Sequence, residues 1–417
     1  MDDKILYTKK TKSLSKSGVP VDAEIIARED GVFMRKEGDP VPGMVEKDPY
    51  VYNMLAGGAP DKQFPVAAVQ LHITSKCNLD CLGCYEKGTD PEEPGLEELY
   101  REISKYRNVK IRLMGKEPTC REDLTDIIKM VNRHNRAILV TNGLRLADID
   151  FVKKLKKAGL KNVVVSLNSL DDAVYEKLNG RPLAAVKIKA LENLKKAGLS
   201  AAIAMNLYNG LNEGECGKLL MYCMDNFPFI TELRIRAMAP LGGYAENRTY
   251  CMSEVISIME REMRVTREHL FRELLMWKMF LRHWGRFLPG RLKKYFAPKL
   301  CSVFFHVRKN IKGEIVAVGS KVDRNNLKEN FAGKFLVLYE FIRSFGAVYI
   351  LTGILNMLGA AAVSPPRKTL RVVLRCWPNV NNIDLDDMKK CTTIHSKGGN
   401  SGPACQFIVL QEISRRL

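Results

Sequence analysis

The stretch "VAAVQLHITSKCNLDCLGCYEKG" (residues 66–88) decides how this chain is read. Its first nine residues read as a buried strand. Three cysteines follow within eight residues, Cys77, Cys81 and Cys84, at C-x3-C-x2-C spacing. Structural zinc sites usually bring their ligands in two pairs, so Cys81 and Cys84 would need a second pair at a distance. Three thiolates in one loop suit a cubane iron–sulfur cluster better, with three irons on thiolate and the fourth open to an exogenous ligand. Asn78 caps or shapes the turn, and Gly83 lets backbone amides approach the sulfurs.

Outward from this loop, strands and helices alternate. "VKIRLMG" (109–115), "AILVTNG" (137–143), "NVVVSLNS" (162–169), "SAAIAMNL" (200–207) and "ELRIRAM" (232–238) are strand-like. Between them lie helical runs such as "EELYREISKY" (97–106), "DIDFVKKLKKAG" and "PLAAVKIKALENLKKAG". Six strands alternating with helices predict an α/β fold with a parallel sheet, curved into a full or partial barrel. Chemistry in such folds sits at the C-terminal strand ends, where the cysteines fall. Residues 1–64 read as a small β-rich extension, with a hairpin in "VDAEIIAREDGVFMRKEG" around Asp30-Gly31. Residues 65–242 form the core, 243–300 a basic helical connector and 301–417 an α+β C-terminal unit.

The 417 residues carry 66 basic and 47 acidic side chains, net +19. That balance favours an acidic partner, whether nucleic acid, anionic lipid or phosphorylated substrate, and is a weak selector among the three; no nucleic-acid partner is expected. Eleven cysteines are too sparse for a disulfide scaffold, and the opening "MDDKILYTKKTKS" lacks an apolar signal core. Reduced thiols in the cytoplasm are expected, with peripheral membrane contact open. Residues 345–363 are 19 residues without a formal charge, yet only moderately apolar, so a buried or membrane-contacting helix is expected rather than a span. "FRELLMWKMFLRHWGRFLPGRLKKYF" (271–296) reads either as an interfacial helix or as an amphipathic helix whose aromatics cover the barrel.

The cysteine loop resembles the signature of the radical S-adenosylmethionine (SAM) superfamily, in which an aromatic precedes the last cysteine. Here Gly83 holds that place and Tyr85 follows the cysteine. "MGKEPTCREDL" (114–124) resembles that family's GGEPT segment, with Lys116 at the second glycine. The resemblance implies a partial (β/α)6 TIM-like barrel whose Cys77, Cys81 and Cys84 hold a [4Fe-4S] cluster. Glu117 would meet the methionyl amine of SAM, with Gly115 and Pro118 shaping the strand end. It also implies SAM contacts for Tyr85, Asn142 and Gly143. Ser166 and Asn168 would meet carboxylate or ribose, Asn206 cofactor or substrate, and Met238 with Pro240 the adenine. The implied activity is reductive cleavage of SAM to methionine and a 5′-deoxyadenosyl radical, which takes hydrogen from an unactivated C–H bond. A low-potential electron donor of ferredoxin or flavodoxin type is the implied partner.

Both ends are similar to the archaeal radical SAM group containing tetraether lipid synthase and the dihydropterin dimethyltransferase. In "KKTKSLSKSGVPVDAEIIAREDGVFMRKEG", Ser15 and Gly18 stand where that group has a metal-ribbon cysteine pair, implying a ribbon without its metal. "LDDMKKCTTIHSKGGNSGPACQF" (385–407) resembles the group's closing segment. The resemblance makes Cys301, Cys376, Cys391 and Cys405 candidates for an auxiliary iron–sulfur cluster; buried structural cysteines are the other reading. Cys120, Cys216, Cys223 and Cys251 read as structural. Lipid modification, pterin-type small-molecule methylation and peptide modification remain open as reactions.

Overall fold

A computed structural model describes residues 5–56, 66–84, 86, 93–239, 241–244, 248–284, 301–318, 338–339, 342–343, 369–379, 381–389, 391–403, 405 and 409. The chain opens with four antiparallel strands, β1 (Ile5–Leu14), β2 (Pro20–Arg28), β3 (Gly31–Lys36) and β4 (Gly43–Glu46), then helix α1 (Pro49–Ala56). The β2–β3 register pairs Arg28 with Gly31, so the turn is Glu29-Asp30, one residue before the expected Asp30-Gly31. The β1–β2 turn is closed by its own hydrogen bonds. Ser15 Oγ accepts from the Val19 amide (3.1 Å) and the Ser15 carbonyl from Gly18 (3.0 Å). Ala23, Ile25, Val32, Met34 and Tyr52 form this unit's small core. The buried Glu46 anchors it by accepting from the Ser253 amide (3.2 Å) and hydroxyl.

The strand–helix series then runs as expected: β5 (Ala68–Thr74), α2 (Leu96–Ser104), β6 (Lys110–Gly115), α3 (Leu124–Asn132), β7 (Arg136–Thr141), α4 (Ile149–Lys157), β8 (Asn162–Ser166), α5 (Asp172–Asn179), α6 (Ala184–Lys196), β9 (Ser200–Leu207), α7 (Glu215–Asp225) and β10 (Ile230–Ala237). Asp148 and Asp171 start α4 and α5 by accepting first-turn amides. The strand "NVVVSLNS" stops at Ser166, and its last three residues turn toward α5. Helices α8 (Met252–Met263) and α9 (Arg267–Trp284) precede β11 (Ser302–Lys309), β12 (Ile315–Ala317), β13 (Leu370–Arg375), β14 (Thr393–Lys397) and β15 (Asn400–Pro403).

The large sheet has the order β12-β11-β13-β10-β9-β8-β7-β6-β5-β14-β15. Strands after residue 300 build no sheet of their own among the described residues. They extend both edges of the core sheet, β13 parallel to β10 and β14 parallel to β5. The parallel run thus has two strands beyond the expected six, and the ladder ends in β12 and β15 without closing. One sheet face carries the core against the helices: Ile111, Leu113, Leu139, Val163, Val165, Ile203, Met205, Leu233 and Ile235 are at most 1% exposed.

In α9, Phe271, Trp277 and Phe280 are buried, and Trp277 meets Phe304 of β11 edge-on at 6.1 Å. Over its described length this helix covers the sheet with its aromatics. The side chains of residues 281–284 and all of 285–300, with most of the interfacial-helix reading, lie outside the described residues, as does the apolar segment 345–363. Among the described residues no helix is long and apolar enough to cross a membrane.

Candidate active site

The three-cysteine loop leaves the end of β5 and lies across the ends of β9 and β10. Within it the Cys84 amide donates to the Cys81 carbonyl (3.2 Å). Two thiols already receive donors: the Leu79 amide points at Cys77 Sγ (3.4 Å) and Asn179 Nδ2 at Cys81 Sγ (3.1 Å). Cys77 is exposed, while Cys81 and Cys84 are half-buried. Burial raises the Cys81 thiol. A metal that takes these sulfurs as thiolates must therefore displace protons.

Gly83 has a steric reason to be glycine here. A Cβ would stand 2.7 Å from Met238 Cε and 2.9 Å from Tyr208 Oη. That seat is firm, because Tyr208 and Tyr244 pack edge to face at 5.1 Å. Met238 therefore lies under the cysteine loop. Among the described residues no three Cys, His, Asp or Glu side chains converge as they would around a metal ion, this loop included. The donor set still fits an iron–sulfur cluster: three thiols in one loop, amide donors at two sulfurs and a glycine-lined seat.

Glu117 is the best-organised group beside the loop. It follows β6 and is completely buried. Its Oε1 accepts from the Thr119 amide (3.1 Å), Thr119 Oγ1 (2.5 Å) and Thr141 Oγ1 (2.6 Å). Its Oε2 accepts from the Asn142 amide (2.6 Å). The Glu117 amide donates to the Lys76 carbonyl (2.9 Å), which ties this carboxylate to the cysteine loop. Gly115 makes the approach possible: at φ +140° a Cβ would fall 2.2 Å from the Thr74 carbonyl. Asn142 Nδ2 reaches Asn78 Oδ1 in the loop (2.7 Å), and Gly143 turns the chain at φ +88°.

The remaining expected residues divide. Ser166 stands half-buried at the β8 end. Asn168 spends its side-chain oxygen on the Asn206 amide (2.9 Å), so it ties two strand ends together. Asn206 is half-buried on β9. Pro118 starts the 3-10 turn after β6. Tyr85 and Pro240 lie outside the described residues.

Lys187 of α6 was not singled out in the sequence, where it is one of several helix lysines. It is buried, and its ammonium donates to the Asn142 (2.6 Å) and Ser166 (2.7 Å) carbonyls. Burial lowers its pKa to about 8, against the pull of Cys81 and Glu117 nearby. On β5 and β14, His72 and His395 are buried beside Glu86, whose carboxylate takes Lys397 at 2.7 Å. Burial would raise Glu86, but His72 and Lys397 hold it down to about 2. Burial pushes His395 down to about 4, so this imidazole is neutral near pH 7.

The late cysteines fall into two groups. Cys301 and Cys391 both bear on the Cys405 thiol, whose pKa is raised by its hydrogen bond with Cys301 and by burial. Cys376 meets Cys301 through its backbone (amide to carbonyl, 3.2 Å). Burial raises its thiol, and the next influence is Cys251 rather than Cys405.

Comparison with known proteins agrees with this geometry. The family described as the radical SAM superfamily matches residues 71–223. Among curated relatives, the 7,8-dihydro-6-hydroxymethylpterin dimethyltransferase of Methanocaldococcus jannaschii is 28% identical over 197 residues, 45% of this chain and 39% of that protein. A probable GTP 3′,8-cyclase of Aeropyrum pernix is 33% identical over 174 residues, 39% of this chain and 48% of that protein. The chain thus spans less than half the length of these two relatives. The crystal structure of Streptococcus suis SuiB bound to S-adenosylmethionine shares 18% identity over 48% of this chain and 47% of its own, at a TM-score of 0.42, too distant to argue from. The superfamily works with a [4Fe-4S] cluster and SAM, and the strand series, the cysteine loop and the match coincide over one segment. Residues 71–223 of the chain thus carry a radical SAM domain.

Proposed function

We propose that the chain holds a [4Fe-4S] cluster on Cys77, Cys81 and Cys84 and uses SAM to modify an unactivated C–H position of its substrate. The observation that carries this is the Glu117 carboxylate, buried against the cysteine loop and fixed by four donors from two strand ends. When bound, the cluster and SAM supply a 5′-deoxyadenosyl radical. The protein's own work is orientation. Oε1 of Glu117 is saturated, while Oε2 keeps room for one more donor, the capacity a SAM ammonium needs. Lys187 locks the Asn142 and Ser166 strand ends by their carbonyls. The Tyr208–Tyr244 pair and Met238 floor the loop and exclude water there. Cys77 on the exposed rim faces the side from which an electron donor would approach.

The pterin dimethyltransferase match covers under half of each chain, so it supports the core reading and leaves the substrate open. Anaerobic reconstitution with iron and sulfide, then dithionite and SAM, tests the reading. About four irons per chain in the radical cluster and 5′-deoxyadenosine formation are expected. Both fall to background in Cys81→Ala; cleavage that persists in that variant overturns the assignment.

A further inference from the structure

The second cysteine of the loop rests on the end of a helix. The Leu82 amide donates to the Leu178 carbonyl of α5 (2.9 Å), and Asn179, the last residue of that helix, sends its Nδ2 to Cys81 Sγ (3.1 Å). The chain turns at Gly180 and then starts α6, whose entry is held by Asp172: its Oδ1 accepts the Leu183 (2.8 Å) and Ala184 (2.7 Å) amides. Lys187 stands in the first turn of α6, so its backbone is fixed relative to the cysteine loop.

An ammonium is costly in that place. Lys187 is 3% exposed, and its Nζ donates to two neutral acceptors, the Asn142 and Ser166 carbonyls (2.6 and 2.7 Å), with the Tyr175 ring 5.5 Å away. No carboxylate pairs with it among the described residues. The amide end of a helix repels a cation as well. A neutral side-chain amide could bridge the same two carbonyls at a smaller desolvation cost. A positive charge kept here needs a negative one to face.

Two groups can supply that charge nearby, Cys81 and Glu117. Asn142 stands between Lys187 and Glu117, its carbonyl held by one and its amide by the other. Glu117 is engaged by four donors and, on the reading above, by the ammonium of SAM. Cys81 differs, because its thiol is neutral until a cluster takes it as thiolate. The counter-charge of Lys187 thus arrives with the cluster. A cubane on three thiolates carries net negative charge and gains one more on reduction, so a fixed cation beside it favours the reduced form. The Asn179 hydrogen bond to sulfur acts in the same sense.

We propose that Lys187 is the fixed positive charge that raises the reduction potential of the cluster on Cys77, Cys81 and Cys84, easing entry of one electron from the low-potential donor. This rests on the radical SAM reading above and adds a potential-setting residue to that site. Lys187 acts on Cys81 through its field and not as a ligand.

The test is a redox titration of anaerobically reconstituted enzyme without SAM, read by electron paramagnetic resonance of the reduced cluster. At a fixed potential, Lys187→Met and Lys187→Gln should each shift the reduced-to-oxidised ratio at least tenfold toward oxidised, about 59 mV for one electron. Lys187→Arg keeps the charge and should stay close to wild type. Glutamine keeps a donor for the carbonyls and lacks the charge, so a role in hydrogen bonding alone predicts a wild-type potential for Lys187→Gln. That result, or a shift in Lys187→Arg as large as in Lys187→Met, overturns the proposal. Loss of iron from all three variants alike also overturns it, since it marks a packing role. Loss confined to Lys187→Met and Lys187→Gln supports a charge that the bound cluster needs. A wild type that assembles no cluster refutes the radical SAM reading instead, so the two failures are told apart.

Discussion

Replacing Glu117 with Gln tests the cofactor geometry at its narrowest point. The oxygen that accepts three donors must stay an oxygen, because turning the amide over would leave Thr119 Oγ1, the Thr119 amide and Thr141 Oγ1 without an acceptor. The new NH2 then occupies the Oε2 position, 2.6 Å from the Asn142 amide, donor against donor. The same NH2 faces the position assigned to the SAM ammonium. Losing one hydrogen bond to a charged group costs about 1.5–3 kcal/mol, which is roughly 10- to 150-fold in SAM affinity. Thr141→Val removes one of the three donors on Oε1 and leaves Oε2 alone, so it should cost about 1 kcal/mol, close to fivefold. Equilibrium dialysis of SAM against reconstituted wild type and both variants measures this order, with iron content determined in parallel to exclude loop damage. If Glu117→Gln binds SAM as wild type does, or if Thr141→Val is the more damaging change, the carboxylate is not the amine's receptor.

Two further predictions concern the support of that site. Gly115→Ala drives a Cβ to 2.2 Å from the backbone oxygen of Thr74 at a φ that side chains avoid, and backbone cannot step aside cheaply. It should cost more than about 3 kcal/mol, read as lost soluble expression or a collapsed iron content. Lys187→Met carries a pH signature. Folded Lys187 titrates near 8 and an unfolded lysine near 10.5, so between those values the unfolded chain binds the extra proton. The penalty of burying the ammonium is therefore full below pH 8 and is relieved as pH rises through that window. Wild type should gain up to about 3 kcal/mol on Lys187→Met between pH 8 and 10.5 in urea unfolding. A difference that stays constant with pH would mean that Lys187 is not buried as an ammonium.

How far such features can be read from sequence depends on whether their cause is local. The six core strands are legible because each is a compact apolar run between helical periods, and "SAAIAMNL" matches β9 residue for residue. The strand β1 is not, since "ILYTKKTKSL" is mostly solvated and its buried positions gather only at its end. The strands β13 and β14 are hidden for a different reason. They pair with β10 and β5, more than a hundred residues away, and nothing in "LRVVLR" or "TIHSK" names a partner. The cysteine loop and Glu117 were legible because their spacing is itself the chemistry, whereas Lys187 looks like every other lysine in "PLAAVKIKALENLKKAG". The arginines of β10 and β13 combine both limits. Period-two alternation in "ITELRIRA" shows that Glu232, Arg234 and Arg236 share a face, but a half-polar strand ordinarily turns that face to open solvent. Only the arrival of β13 beside β10 sets Arg371 and Arg375 across from the first group. A net charge of +19 spread over 417 residues gives no hint of that concentration, because the strand that completes it is supplied by topology.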